Sequence, residues 1–405
     1  MKKITLFLWT GIFICVLLIA GGFQPAFAQF QNEFGQNLFQ LEPELPEADP
    51  AKLTIDAHLS NTFNNHIELG LSVDPYTSSL AGQESPQLEG IINRLGVNLR
   101  GELPIVNNKL RLRLQYAPQL ENYTGADGKL NEFDAFTDVS STELSFRPFS
   151  SLPEFVASHQ FQRLARTLNV YNNTERQLGI RFGRVLEYNL RIHRFDDESQ
   201  LREDFLLIGS TNHKATTGLQ IGLLKQMLGK VEYAIEHGRY QTNLNNLILG
   251  VTGLEEGERR IDWRHFGTVK LLQTAADHFV FQEEVNFFLN RSNVDFFNFI
   301  STEAALSTFY TFGTGRWIRL RFSRVWVRFR GREIRDELGD IIEGEENRSD
   351  TQLGFNAQVN WKLTSYLTLN ADYQFTQNST NELDPILAFL NYNHSIVSLT
   401  LRGNY

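Results

Sequence analysis

Residues 394–405, HSIVSLTLRGNY, decide the fold. One side of this stretch is apolar and ends in an aromatic residue: Val397, Leu399, Leu401, Gly403 and Tyr405. The alternate positions are all polar: Ser398, Thr400, Arg402 and Asn404. Successive side chains of a β-strand point to opposite faces, so these residues form one apolar and one polar face. Such a strand with an aromatic end is typical of a membrane β-strand whose lipid face ends in an interfacial ring. A soluble sheet could also end in this way.

The amino terminus has the pattern of a secretory signal peptide. Two lysines precede an uncharged apolar run (4–22), and Ala-Phe-Ala at 26–28 puts small residues at the −3 and −1 positions of a cleavage site. We therefore assign residues 1–28 to a signal peptide. A retained membrane anchor is the alternative, because the run is close to the roughly 18 residues that a spanning helix needs.

Composition excludes several classes of protein. The one cysteine, Cys15, lies in the predicted signal peptide, so the mature chain has no thiol, disulfide or cysteine-based metal site. Loss of two lysines with that peptide changes the net charge from −9 to −11, which argues against nucleic acid as a partner. The 32 phenylalanines suit aromatic girdles at two membrane interfaces. No later segment offers about 18 continuous apolar residues, so a membrane form of the mature chain must be a closed barrel.

From residue 53 onward, apolar residues recur with a period of two. Segments 353–361 and 367–375 alternate most clearly, and a short connection joins them. Short and long polar connections follow one another along the chain, as in barrels with short periplasmic turns and long outer loops. We predict an all-β fold, a transmembrane antiparallel up-and-down β-barrel over residues 52–405, with about 16 strands (14–18). Residues 29–51, polar and then acidic and proline-rich, are predicted to be a disordered or periplasmic arm.

Residues 316–332, RWIRLRFSRVWVRFRGR, are the most distinctive internal stretch. Apolar residues occupy even positions up to Phe322 and odd positions from Val325, and we interpret the change as a β-bulge at Ser323–Arg324. With the apolar residues outward, Arg319, Arg321, Arg324 and Arg328 would line the lumen. The same parity applies on other strands to Arg111, Arg113, Arg181 and Arg191. A basic ladder would favour anions. The alternative is that luminal acids pair with these arginines.

The last hairpin has a different interior. Its inward positions are rich in amides and include Asn356, Gln358, Asn370 and Asp372. Such a wall could hydrogen-bond sugars or hold water. Acidic groups at 196–198, 255–256 and 333–350 lack the spacing of a calcium loop, so they indicate solvated outer loops.

Catalytic and metal motifs are missing from the sequence. The nine histidines show no His-x-x-x-His or His-Glu-x-x-His spacing, and there is neither a Gly-x-Ser-x-Gly elbow nor a Walker loop. We predict that the protein is not an enzyme and needs no cofactor or metal.

Segment 94–100 (RLGVNLR), the predicted strand at 110–116 and the closing segment resemble β-barrel porins of Gram-negative-type outer membranes. The opening part is similar to the start of barrels encoded with exopolysaccharide-export systems. This resemblance implies that the barrel-assembly machinery reads an insertion signal formed by Val397, Leu399, Leu401 and Tyr405.

These patterns lead to one functional prediction. We expect a porin-like channel in the cell outer membrane for passive diffusion of small polar or anionic solutes. Its partners would be outer-membrane lipid, the assembly machinery and the solutes or a polysaccharide, without nucleic acid. A gated or plugged barrel for polysaccharide export or cell-surface interaction is the alternative, and a soluble periplasmic all-β protein is a third. The oligomeric state does not follow from the sequence.

Overall fold

The computed structural model of the chain is one closed barrel of sixteen antiparallel strands. The structure describes residues 51–64, 90–106, 109–125, 134–149, 153–166, 172–183, 185–195, 209–224, 226–240, 259–276, 278–332, 334, 342, 347–381 and 391–404. The predicted fold class and the expected strand number are therefore confirmed.

The first eight strands are β1 (Lys52–Asn64), β2 (Gly90–Val106), β3 (Leu110–Gly125), β4 (Ala135–Phe146), β5 (Phe155–Arg166), β6 (Asn173–Phe182), β7 (Leu186–Phe195) and β8 (Ser210–Leu224). The second eight are β9 (Met227–Tyr240), β10 (Ile261–Ala276), β11 (Phe279–Ser292), β12 (Phe299–Gly313), β13 (Arg316–Phe329), β14 (Ser349–Lys362), β15 (Leu367–Thr380) and β16 (Tyr392–Asn404). One 3₁₀ turn, Asp295–Phe297, precedes β12.

The barrel closes between the first and last strands. Leu59 on β1 lies opposite Leu95 on β2 and Leu401 on β16, so β1 is paired along both edges. Each strand from β2 to β15 pairs with its two neighbours in the sequence. A closed sheet satisfies its backbone groups without water, which is the condition for crossing lipid with strands.

The outer face of the wall carries the large apolar side chains. Leu59 is 57% exposed and Leu95 is 54% exposed, although both lie in the middle of well-paired strands. The interior face is polar, and its ionic side chains are buried against one another. Apolar outside and polar inside is the reverse of a soluble globule and matches a membrane barrel.

The short connections lie at one end of the barrel. β12 and β13 are joined by two residues, and Gly315 there has a φ of +70°, which an L side chain rarely adopts. A Cβ at this position would also lie 2.9 Å from Cδ of Lys362. Aromatic side chains gather at the same end, with the rings of Phe312 and Trp361 5.3 Å apart. Short turns of such barrels face the periplasm, so this end defines the periplasmic rim.

The structure contradicts one local prediction. The bulge at Ser323–Arg324 is wrong, because β13 pairs with β12 and β14 in unbroken register through both residues. The predicted signal peptide, residues 29–50 of the arm and Tyr405 lie outside the described residues.

Candidate functional site: the lumen wall

Strand β13 sets which arginines face the lumen. Phe322 and Trp326 are 56% and 41% exposed on the outer face, so Arg324 and Arg328, which share their parity, also point outward. The prediction that these two arginines line the lumen is therefore wrong. The prediction fails because it assumed that apolar residues always face outward. Val325 and Val327 are apolar but face inward, opposite Gln352 and Asp350 of β14. The lumen face of β13 carries Arg319, Arg321 and Ser323 instead.

Arg321 is the centre of an ionic network across four strands. Its guanidinium lies 2.7 Å from Glu303 of β12 and 3.4 Å from Glu284 of β11. The Nζ of Lys270 on β10 lies 3.2 Å from the same Glu284. Asn286 donates hydrogen bonds to both carboxylates, at 2.6 Å to Glu284 and 2.9 Å to Glu303. These contacts satisfy the carboxylates and fix Arg321 against the wall.

Arg319 is held differently. Its guanidinium lies 5.1 Å from the ring centroid of Phe309 on β12, which is a cation–π distance. Its Nε is buried and has no hydrogen-bond partner, and within the described residues no carboxylate forms an ion pair with it. Across the next strand pair, Gln358 of β14 lies opposite Arg319 and also opposite Asp372 of β15. Of the two neighbouring arginines on the lumen face of β13, Arg319 is therefore the one whose positive charge has no carboxylate in ion-pair contact among the described residues.

Most other predicted lumen arginines have acidic partners. Arg113 lies 2.9 Å from Glu143 and 3.5 Å from Glu102, and Arg111 lies 3.5 Å from the same Glu102. Arg191 approaches Glu236 at 3.9 Å. The open alternative, in which luminal acids pair with the arginines, thus describes a large part of the lumen wall.

Arg181 differs from these paired arginines. It lies opposite Glu187 of β7 in register, yet the two do not form an ion pair in the described structure. Of the predicted arginines that do face the lumen, Arg181 and Arg319 are consequently the two without an acidic partner among the described residues.

A second ionic cluster lies at the rim opposite the short turns. Asp262 at the start of β10 is fully buried and accepts hydrogen bonds from Arg260, at 2.9 and 2.6 Å. Arg264 lies 3.2 Å from Asp262 and 2.8 Å from Glu236 of β9, and it also donates to Tyr240. Arg260 lies 4.4 Å from the ring centroid of Tyr240. Sequence reasoning missed this cluster, although Arg, Asp and Arg at alternate positions 260, 262 and 264 signal one charged strand face.

The amide wall of the last hairpin is internally bonded. The side-chain amide of Asn356 donates to Asp372 at 3.0 Å and to the backbone carbonyl of Tyr373 at 3.3 Å. Asn370 lies opposite Asn360 on β14 and Thr400 on β16. The structure thus brings Asn356, Gln358 and Asp372 together beside Arg319.

The proposed insertion signal lies on the outer face of β16. Val397, Leu399 and Leu401 are between 40% and 51% exposed. Leu399 and Leu401 lie opposite Asn61 and Leu59 of β1, so this face borders the seam where the barrel closes.

The described residues contain no group of three or more histidine, cysteine, aspartate or glutamate side chains placed to hold a metal ion. No helix among them is long and apolar enough to cross a membrane.

Comparison with known proteins gives similarities of fold. No protein-family model matches the sequence, and no curated protein matches it. A bacterial polysaccharide outer membrane secretin is 8% identical, with 87% of this chain and 98% of that chain covered and a TM-score of 0.44. OccD3 (OpdP) of Pseudomonas aeruginosa is 8% identical (87% and 91% covered, TM-score 0.46). The outer membrane protein OprD from Pseudomonas aeruginosa is 9% identical (87% and 93% covered, TM-score 0.43).

The barrel itself defines where the protein resides. A closed antiparallel sheet with a lipid-compatible outer face and a polar interior is the architecture of outer-membrane proteins. The protein is an outer-membrane β-barrel.

Proposed function

We propose that the protein is a passive channel for small polar solutes, with a preference for anions. The observation that carries this proposal is the charge balance of the lumen wall near Arg319. Neighbouring Arg321 is neutralised by Glu284 and Glu303, whereas Arg319 has no carboxylate within ion-pair distance among the described residues. A passing anion would meet this guanidinium without a carboxylate in ion-pair contact with it, while Asp372, two strands away at the same level, reduces the preference for anions.

The width of the barrel supports passage of solutes. Small barrels of about 8 strands are filled by side chains, whereas those of about 16 leave an aqueous lumen. In such a lumen, a monovalent anion about 7 Å from a guanidinium gains roughly 0.6 kcal/mol at the dielectric of water. That energy raises the local anion concentration by a factor of about 3. The expected selectivity is therefore modest, as suits a diffusion channel rather than a specific transporter.

Reversal potentials in planar bilayers test the proposal. Under a tenfold KCl gradient, we expect Arg319→Gln to lower the ratio of chloride to potassium permeability by up to about eightfold, because the charge that concentrates chloride also depletes potassium, and Arg319→Glu to lower it further. The matched comparison is Arg324→Gln, the same change on the outer face of the same strand, where the ratio should stay at the wild-type value. Equal ratios in Arg319→Gln and wild type would remove anion preference from the proposal.

The same recordings address the alternative role in polysaccharide export or cell-surface interaction. Amides such as Asn356 and Gln358 beside Asp372 could hydrogen-bond sugar hydroxyls, which gives this reading its structural basis. A correctly folded barrel that passes no current would favour a gated or plugged barrel over the channel.

A further inference from the structure

We infer that the outer face of β6–β13, at the rim opposite the short turns, binds phosphate-bearing lipid headgroups of the outer leaflet. Six outward arginines form this surface, which we call the arginine rim: Arg176, Arg194, Arg239, Arg291, Arg324 and Arg328. The inference concerns the outside of the wall and is independent of what the lumen conducts.

Strand register places these arginines on the outer face. Arg324 alternates with the exposed rings of Phe322 and Trp326, and Arg328 is the next outward residue after Trp326. Arg291 lies directly opposite Trp263 of β10, which is 47% exposed. Because side chains two apart share a face, none of these guanidinium groups reaches the lumen.

Four of these arginines lie at the end of the barrel that faces the outer leaflet of the membrane. Arg194, Arg239, Arg291 and Arg328 are each one residue from the strand end that leads into a connection opposite the short turns. A lipid-facing arginine costs roughly 2–4 kcal/mol at the bilayer midplane and about 0–1 near the interface. Tryptophan prefers that interface, and Trp263 and Trp326 lie at this level. These four strand-end arginines therefore lie at headgroup depth, whereas Arg176 and Arg324 lie three and five residues inside their strand ends.

The rim arginines lack the acidic partners that the lumen arginines have. On the outer face of the described strands the only carboxylates are Asp138, which lies opposite Arg163 of β5, and Glu283. None of the six rim arginines forms an ion pair with a described residue. Arg324 contacts the ring of Trp326 at 5.1 Å and Arg176 contacts the ring of Phe161 at 5.7 Å. Within the described residues, the charge of these arginines is therefore not neutralised by a carboxylate.

The surface occupies one part of the circumference. On β1–β3, β15 and β16, the corresponding outward positions carry amides, namely Asn61, Asn93, Asn122, Gln377 and Asn393. Asn61 donates to Asn93 at 2.8 Å, so that part of the rim satisfies itself. Basic charge is thus concentrated on one side and is not a general property of the rim.

Phosphate is the chemistry that suits this surface. An arginine fork binds phosphate oxygens bidentately and is more weakly hydrated than a lysine ammonium. Arg291 of β11 and Arg328 of β13 are each one residue from the strand end, and they lie two strands apart, roughly 10 Å across the wall. Two such groups at one depth suit a headgroup that carries separated phosphates above apolar chains. We therefore assign the occupant as a phosphorylated outer-leaflet lipid.

Lipid binding to the purified full-length chain tests the inference. The probe is bisphosphorylated lipid A at increasing mole fraction in phosphatidylcholine vesicles, and retained lipid is counted by native mass spectrometry. The variant Arg291→Gln/Arg324→Gln/Arg328→Gln should lower the apparent affinity on the order of 100-fold, because each arginine near an anionic surface contributes about fivefold. The control is Gln377→Ala/Asn393→Ala on the opposite side, which should bind like wild type.

Two further measurements accompany this comparison. The variant Arg291→Lys/Arg324→Lys/Arg328→Lys should retain more lipid A than the glutamine variant. A heat-modifiability gel verifies that every variant folds. Inorganic phosphate at millimolar concentration should not displace the lipid, because acyl chains add to the headgroup contact. Lipid A retention by the folded glutamine variant equal to wild type would overturn the inference, as would full displacement by free phosphate.

Discussion

Substitution of Arg321 should lower the free energy of unfolding of the barrel, because it leaves a half-buried carboxylate without its basic partner. Its guanidinium lies 2.7 Å from Glu303 and 3.4 Å from Glu284, whose side chains are 24% and 8% exposed. Loss of one partner from a fully buried ion pair costs about 3–5 kcal/mol, and from an exposed pair about 0–1. Because Glu284 keeps Lys270 at 3.2 Å, only Glu303 loses its main partner. We therefore expect Arg321→Gln to lower the free energy of unfolding by about 2–3 kcal/mol.

A double-mutant cycle isolates the pair. In Arg321→Gln/Glu303→Gln, no uncompensated carboxylate remains at position 303, so the combined loss should be about 1–2 kcal/mol smaller than the sum of the single losses. Urea unfolding in phosphatidylcholine vesicles, followed by tryptophan fluorescence, gives all four values. Arg324→Gln is the control and should stay within about 0.5 kcal/mol of wild type. A coupling energy below about 0.5 kcal/mol, or equal losses in Arg321→Gln and Arg324→Gln, would refute this account of the network.

Three more predictions follow from the wall. Residues 29–405 contain no cysteine, so a single cysteine placed there should react with a water-soluble thiosulfonate reagent at position 325 but not at position 326, and the reverse pattern would support a bulge at Ser323–Arg324. Asp262→Asn should cost about 3 kcal/mol in urea unfolding, since it leaves two arginines facing a fully buried amide, and a loss below about 1 would contradict that role. Leu399→Lys should weaken membrane insertion by about 2–4 kcal/mol, measured as the folded fraction on a heat-modifiability gel, whereas wild-type folding would contradict its lipid-facing position.

The period of two predicts most of this fold. In β16, apolar and polar residues alternate from Val397 to Arg402, and the barrel closes there as expected. Only a closed sheet with an apolar outer face can cross lipid as strands, which is why the fold class follows from the sequence and the strand number follows to within two.

Strand β13 shows where that reasoning fails. Its first half has a clear outer face, but Val325 and Val327 are inward and Arg324 and Arg328 are outward. Near the outer surface an arginine can reach headgroups and stack on Trp326, so polarity no longer identifies the lumen face. Only the register with β12 and β14 settles the parity at such positions.

The lumen site was predictable in part. Parity identifies Arg319 and Arg321 as neighbours on one face, but their different charge balance depends on residues about 20 to 50 positions away, such as Glu303 and Asp372. Which acid reaches which arginine depends on strand stagger, and one-residue changes in stagger alter every cross-strand partner.

Single-channel conductance of residues 29–405, refolded and purified in detergent, determines in planar bilayers whether the barrel is an open channel. A heat-modifiability gel on the same sample establishes that the barrel has formed. We expect steady conductance steps with a reversal potential that indicates a modest preference for chloride. A folded barrel that conducts no ions, at any applied potential and without a partner, would contradict the proposed channel function.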